Sequence, residues 1–134
     1  MPELSLVADD NGAVVGHIMF SYVTLRRIED GLRVLILSPL AVSPDVHRGG
    51  IGKVLVEAGV AAAEARREPL IIVEGIPAYY PRFGFERARG LGIEPPNEHI
   101  PDAAWMVRRL STYDASLRGT IRYSPAFDVV SQPE

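Results

Sequence analysis

The feature that most constrains this chain is a glycine-rich loop that joins an apolar β-type run to an amphipathic helix. The run covers positions 34–42, and the predicted helix covers 50–67. The glycines and basic residues of the loop are Gly49, Gly50, Gly52, His47 and Arg48. Such a loop directs free backbone N–H groups toward one point, where the helix dipole also favours an anion, typically a phosphate. The pattern therefore predicts a site for a phosphorylated ligand, and a tight strand-to-helix turn without a ligand is the alternative.

The composition predicts one domain, over 1–134, with no special attraction to polyanions. A chain of 134 residues is long enough for one core, and its net charge of −3 gives no electrostatic reason to expect nucleic acid or an anionic membrane as a partner. No apolar stretch approaches the roughly 20 residues that span a bilayer, and the N-terminus lacks the pattern of a signal peptide. There are no cysteines, and the three histidines lack a metal-ligand spacing. We therefore expect a cytoplasmic protein without a metal.

The first two thirds of the chain predict a sheet with one long helix. The predicted elements are a hairpin over 4–8 and 14–25, a strand over 32–42, a helix over 50–67 and a buried strand over 70–73. Proline removes a ladder donor, so we expect a bulge or an interruption near Ser38 and Pro39. The order strand, helix, strand is typical of a βαβ unit, although the sequence leaves open whether the two strands are neighbours.

The last third is rich in turn residues. Positions 78–83 predict one or two helical turns that end at Gly84, and 89–101 predict a loop. Strands are expected over 103–110 and 119–123, with Trp105 in the core and Arg108 and Arg109 as surface charges.

Two motifs in this order resemble the GCN5-related N-acetyltransferase (GNAT) family, specifically small bacterial members with a Pro-Ala-Tyr-Tyr segment. The first motif is PLAVSP at 39–44, running into HRGGIG at 47–52. It is similar to the end of the family's fourth strand and its pyrophosphate loop, usually written Gln/Arg-x-x-Gly-x-Gly/Ala. The second is AYYPRFGF at 78–85, which is similar to the family's Tyr-x-x-x-Gly-Phe. The resemblance covers about 4–110 and leaves 111–134 as a C-terminal extension.

This resemblance implies an α/β (α+β) fold with a mixed, mostly antiparallel sheet and helices packed on it. The sheet would splay between the strands that end near Val42 and Val73, and acetyl-CoA would enter this opening as co-substrate. Backbone groups on the first strand would pair with the pantetheine arm, and N–H groups of the loop would hold the pyrophosphate. The residues so assigned are Leu40, Ala41, Val42, His47, Arg48, Gly49, Gly50, Ile51, Gly52 and Lys53.

The resemblance also implies N-acetyltransferase chemistry, in which a neutral primary amine attacks the acetyl carbonyl directly. Tyr80 occupies the position of the family's general acid, four residues before Gly84, and would protonate the departing thiolate. A core aromatic is the alternative role for Tyr80. The acceptor, a small-molecule or peptide amine, is not indicated by any motif. Glu74, at the end of a strand, would act as a base through water or remain a solvated carboxylate.

The chain departs from the family pattern at two places. His47 stands where Gln or Arg is usual, although an imidazole can still form a hydrogen bond. By this resemblance Leu4 falls in the family's second strand, so we expect the first strand and two helices to be missing, in a natural short form, a fragment or the product of a late start codon. Their absence would leave apolar sheet surface uncovered and favours a homodimer. A second hypothesis is therefore a module that binds CoA or acyl-CoA without turnover, as a sensor or an oligomer subunit. A nucleotide-binding P-loop is disfavoured, because Lys53 is followed by Val54 instead of Ser or Thr.

Overall fold

The computed structural model describes residues 4–10, 13–37, 41–42 and 51–123. Nine strands of this part form one mixed sheet, and one long helix packs on it. The strands are β1 (Leu4–Asp10), β2 (Ala13–Arg26), β3 (Gly31–Leu37), β4 (Ala41–Val42), β5 (Leu70–Glu74), β6 (Glu86–Arg87), β7 (Ile93–Glu94), β8 (Trp105–Arg109) and β9 (Gly119–Arg122). The helix is α1 (Ile51–Ala65), and short 3-10 turns cover Tyr80–Phe83, Arg89–Leu91 and Asp102–Ala104.

Strand β2 is the longest strand and the centre of the sheet's pairing. Along one edge it pairs antiparallel with β1, which confirms the predicted hairpin, and its last residues pair with β9. Along the other edge it pairs antiparallel with β3 and then with β4. A strand of 14 residues rich in Val, Ile, Phe, Tyr and Thr suits this role, because such side chains pack well on both faces of a sheet.

Strands β3 and β5 are parallel neighbours, with α1 as the connection between them. Their register joins Leu35 to Ile71 and Leu37 to Val73. This pairing answers the question that the sequence left open and confirms a βαβ unit. Since β5 also pairs antiparallel with β8, it lies inside the sheet, which explains its continuous apolar sequence.

The pairing register of β2 shifts by one residue between β3 and β4. Phe20 is opposite Leu37, whereas His17 is opposite Ala41. Three steps along β2 therefore correspond to four steps along its partner, so one extra residue lies between β3 and β4. The bulge or interruption expected near Ser38 and Pro39 lies outside the described residues.

Strands β3, β5 and β8 are buried on both faces, and α1 covers the first face. Successive residues of β3 and β5 alternate between two core clusters, as the two-residue period of a strand requires. The first cluster joins α1 to the sheet and contains Ile18, Phe20, Leu35, Leu37, Leu55, Val56, Ala63, Ile71, Val73, Tyr80, Phe83, Phe85, Met106 and Leu110. Three aromatic residues of the segment 78–85 thus belong to the core on the helix side, namely Tyr80, Phe83 and Phe85.

The second face is covered by the chain between positions 88 and 121. Trp105 is fully buried there, and its indole Nε1 donates a hydrogen bond to the Ile93 carbonyl at 3.0 Å. The Trp105–Ile93 hydrogen bond joins β8 to β7. These two strands lie near opposite ends of the strand order, so the sheet curls around the second cluster. The segment 89–101, predicted to be loop-like, is mostly irregular, but it contains a short 3-10 turn and the short strand β7, which the sequence did not predict.

Large apolar side chains are exposed at only a few described positions, namely Ile28, Val54 and Ile76. They lie in a turn, on α1 and after β5. The uncovered apolar sheet surface and the homodimer expected from the sequence stay predictions. No helix within the described ranges is long and apolar enough to cross a bilayer.

Candidate active site

Strands β3 and β5 stop pairing at one defined point. Their last pair joins Leu37 to Val73. Beyond it, the described residues of β4 pair with β2, while Glu74 of β5 pairs with Trp105 of β8. Past this pair β4 keeps β2 as its partner, as β3 does, and β5 keeps β8; no pair among the described residues joins the two sides, so the sheet opens at the carboxyl ends of β3 and β5. Backbone groups that lose their ladder partner at such an edge are free to bind an extended ligand, as an added strand would.

The Tyr80–Phe83 turn is the next element after β5, and its Tyr80 ring lies against Gly75, the residue that follows β5. The N–H groups of Tyr79 and Tyr80 donate to the Ile76 carbonyl at 3.0 and 3.4 Å, which starts the turn. Gly84 ends it with φ +87° and donates its own N–H to the Pro81 carbonyl. The predicted helical turn with a glycine at its carboxyl end is therefore confirmed. A left-handed residue at this point favours glycine, since a Cβ would crowd the backbone.

The ring of Tyr80 is buried, with 5% of the residue exposed. It makes edge-to-face contacts with Tyr79 at 5.2 Å and Phe85 at 5.5 Å between ring centroids. It belongs to the same core cluster as Leu37 and Val73, the last residues that pair across β3 and β5. Tyr80 is therefore a core aromatic at the edge of the opening, and its burial fixes the direction of its ring.

Tyr79 is half-buried beside it and contacts Phe83 at 5.1 Å between centroids. The guanidinium of Arg82 lies 5.2 Å from the centre of the Tyr79 ring. Burial raises the pKa of the Tyr79 hydroxyl, and the positive charge of Arg82 opposes this rise in part. Tyr79 consequently stays protonated at neutral pH and supplies packing and a hydroxyl, not a charge.

The N-terminus of α1 has the properties of an anion site. Its first backbone N–H groups have no carbonyl partner within the helix, and its first turn carries no acidic residue. Gly52 is buried and Lys53 is exposed. Ala41 and Val42 form β4, and Ile51 begins α1. Five residues expected to bind acetyl-CoA lie outside the described part of the chain: Leu40, His47, Arg48, Gly49 and Gly50.

Glu74 and two of the three histidines lie within the described residues. Glu74 is exposed at the end of β5, and His99 is exposed in a turn where its N–H donates to Asn97 Oδ1 at 2.9 Å. The backbone of His17 stands opposite Ala41 in the β2–β4 register. Across the described ranges, His, Asp and Glu side chains form no group of three or more that would hold a metal ion.

Arg108 has a role that the sequence reasoning missed. Its Nη1 donates to the Phe83 carbonyl at 2.7 Å, at the end of the turn that carries Tyr80. The expectation of a surface charge was wrong for Arg108, which is half-buried, whereas Arg109 is exposed and pairs with Glu86 at 2.7 Å. The alternation of side chains along a strand could have predicted this burial. Residues two apart point to the same face, and Arg108 lies between Met106 and Leu110, which are both buried.

Comparison with known proteins decides the family. The model of the acetyltransferase (GNAT) domain matches residues 2–87. The chain belongs to the GNAT acetyltransferase family. YjhQ of Escherichia coli, named an uncharacterized N-acetyltransferase, is 36% identical over 124 residues, covering 90% of this chain and 68% of YjhQ.

Two solved GNAT structures share the fold and hold a CoA ligand. YhbS, an N-acetyltransferase of Escherichia coli in complex with CoA, has a TM-score of 0.82 at 29% identity, covering 95% of this chain and 70% of YhbS. A GNAT acetyltransferase of Brucella melitensis in complex with acetyl-CoA has a TM-score of 0.71 at 28% identity, covering 94% of this chain and 69% of that one. By sequence, YhbS is 36% identical over 86 residues, half of its length. The chain thus has the GNAT fold and spans between half and about 70% of these GNAT relatives.

Proposed function

We propose that this chain is an N-acetyltransferase that moves an acetyl group from acetyl-CoA to a primary amine. The amine nitrogen attacks the thioester carbonyl, so the new N–C bond forms as the C–S bond breaks. Tyr80 donates its hydroxyl proton to the departing CoA thiolate, and the acetylated nitrogen loses a proton to solvent. Backbone donors along the open edge of β4 would polarise the carbonyl oxygen during the attack.

One observation carries this proposal: Tyr80 lies where the sheet opens. The last β3–β5 pair ends at Val73, and the Tyr80 ring contacts Gly75, two residues further along the chain. A thioester laid along the opening would therefore pass close to the turn that begins at Tyr80. The CoA ligands of YhbS and of the Brucella melitensis protein support acetyl-CoA as the donor.

The N-terminus of α1 would hold the pyrophosphate. N–H groups of its first turn, which have no carbonyl partner within the helix, and the helix dipole would attract the negative charge, and Lys53 adds an exposed cation in that turn. The glycines before the helix would allow the backbone to approach the phosphates closely. The acceptor is a small-molecule or peptide amine.

The test is release of CoA thiol from acetyl-CoA over a panel of primary amines, followed with a thiol reagent. The chain contains no cysteine, so the reagent reports only CoA. Tyr80→Phe keeps the ring and removes the hydroxyl, and Tyr113→Phe makes the same change at a tyrosine outside the core cluster of Tyr80. We expect Tyr80→Phe to lower turnover by about 100-fold or more, with the acetyl-CoA affinity little changed.

The outcomes separate the candidate functions. Turnover that depends on Tyr80 and not on Tyr113 supports the proposed mechanism. Turnover that is unaffected by Tyr80→Phe would refute the role of this residue as general acid. Tight acetyl-CoA binding without turnover would favour the alternative of a CoA-binding module.

A further inference from the structure

We infer that Gly75 is a positioning residue for Tyr80, because the absence of a side chain at Gly75 leaves the space in which the Tyr80 ring lies. This inference rests on the proposed function, in which the Tyr80 hydroxyl must meet the thioester sulfur. Gly75 follows β5 directly, at the point where the sheet opens.

The space is narrow. A Cβ built on Gly75 would lie 2.4 Å from Cε2 of Tyr80, 2.8 Å from Cδ2 and 3.3 Å from Cζ, the carbon that bears the hydroxyl. Contacts under 3.0 Å are essentially never seen for real Cβ atoms. An alanine at this position would therefore force either the backbone or the ring to move.

The backbone of Gly75 is held in place. Its N–H donates to the Ala104 carbonyl at 2.9 Å, and the residue before it pairs with Trp105 of β8. On its other sides the Tyr80 ring meets Tyr79 and Phe85. The described glycines with positive φ are Gly84, Gly92 and Gly119. Gly75 is not among them, so alanine at this position brings a steric clash and no left-handed backbone strain.

The expected consequence is a displaced hydroxyl. A shift of about 1 Å in a reacting group can cost on the order of 100-fold in rate. Gly75→Ala should therefore lower turnover by about 10- to 100-fold and change the KM for acetyl-CoA by about twofold or less. A variant that merely destabilised the fold would reduce the active fraction of the protein, and correction for that fraction would restore the wild-type rate.

The chain offers two matched controls. A Cβ at Gly59 would lie 2.5 Å from Cζ of Phe20, a clash as severe as the one at Gly75 but with a different ring of the same core. A Cβ at Gly90 would meet nothing within 4 Å. Gly59→Ala thus controls for the cost of a clash in the core, and Gly90→Ala controls for the loss of a glycine.

The first measurement is fluorine NMR on protein labelled with 3-fluorotyrosine. The chain has five tyrosines, and the signal that disappears in Tyr80→Phe assigns Tyr80. Gly75→Ala should move this signal by more than its line width, whereas Gly59→Ala and Gly90→Ala should not. An unmoved Tyr80 signal in Gly75→Ala, or an equal movement in Gly59→Ala, would overturn the inference without any acceptor being known.

The second measurement is a double-mutant cycle on the rate of CoA release. Gly75→Ala should slow the Tyr80 enzyme and have no further effect in the Tyr80→Phe background, where the hydroxyl is already absent. An equal loss in both backgrounds would overturn the inference and leave the role of Tyr80 intact. If Tyr80→Phe itself leaves the rate unchanged, the proposed general acid is wrong, and the NMR result still decides whether Gly75 sets the ring position.

Discussion

Gly84→Ala should destabilise the protein by about 3 kcal/mol, through two separable costs. Gly84 has φ +87°, and an L residue in this left-handed region costs roughly 1–2 kcal/mol. A Cβ there would also lie 2.0 Å from Nη1 of Arg108, the atom that donates to the Phe83 carbonyl. Displacing the guanidinium would lose a charge-assisted hydrogen bond, worth about 1.5–3 kcal/mol.

Urea unfolding followed by the emission of Trp105 measures this cost, since Trp105 is the chain's one tryptophan and is fully buried. In the Arg108→Ala background the clash is absent, so Gly84→Ala should add only the backbone strain of about 1–2 kcal/mol. Gly92→Ala is the matched control. Gly92 also ends a 3-10 turn at φ +81°, but its Cβ would meet the exposed side chain of Arg118, which can move away.

Turnover adds a third readout to this comparison. The turn that ends at Gly84 begins with Tyr80, so Gly84→Ala should reduce CoA release as well as stability, while Gly92→Ala should reduce stability alone. An equal cost of Gly84→Ala with and without Arg108 would refute the steric argument. No cost at all would refute the left-handed backbone at this position.

Two further predictions concern the second sheet face and the end of α1. Trp105→Phe should cost about 3 kcal/mol in urea unfolding followed by circular dichroism, because it leaves the buried Ile93 carbonyl without its donor and removes buried ring atoms. Ile72→Val, in the same cluster, should lower the free energy of unfolding by about 1 kcal/mol. If Trp105→Phe cost no more than Ile72→Val, the hydrogen bond from Trp105 to the Ile93 carbonyl would not stabilise the fold as stated. Hydrogen bonds from Ser111 lower the pKa of the Glu64 carboxyl, so Ser111→Ala should raise that pKa toward its ordinary value, as NMR titration would measure. The lowered pKa contributes stability that is present above the unfolded pKa and lost as pH falls through the folded pKa. Ser111→Ala should therefore lower stability near neutral pH, and the difference from wild type should vanish in acid; an unchanged pKa would contradict this assignment.

The parts of the fold that depend on local pattern could be predicted from the sequence. The hairpin, α1 and the buried strand β5 follow from strand composition, a helical apolar period and a short apolar run bounded by Pro69. The turn before Gly84 also follows, because glycine at its carboxyl end is a local signal. The GNAT family could be predicted as well, since two motifs occur in the right order.

Long-range arrangements could not be predicted, because they depend on contacts between distant positions. The burial of the second sheet face by 88–121 requires Trp105 to reach Ile93, and nothing local in 89–101 indicates a strand. The contact between Gly75 and Tyr80 depends on how the chain turns after β5. Arg108 was misassigned because two adjacent arginines resemble a solvated surface, although strand alternation places them on opposite faces.

Calorimetric titration with acetyl-CoA tests whether this chain binds acetyl-CoA at the open edge of its sheet, as we propose. We expect one acetyl-CoA per chain with a Kd of about 1–100 µM, a range that corresponds to roughly 5–8 kcal/mol of binding free energy. Gly52→Val, which adds a branched side chain at a buried position in the first turn of α1, should abolish the binding heat while the variant stays folded. No heat from wild-type protein at millimolar acetyl-CoA, or unchanged affinity in folded Gly52→Val, would contradict the account.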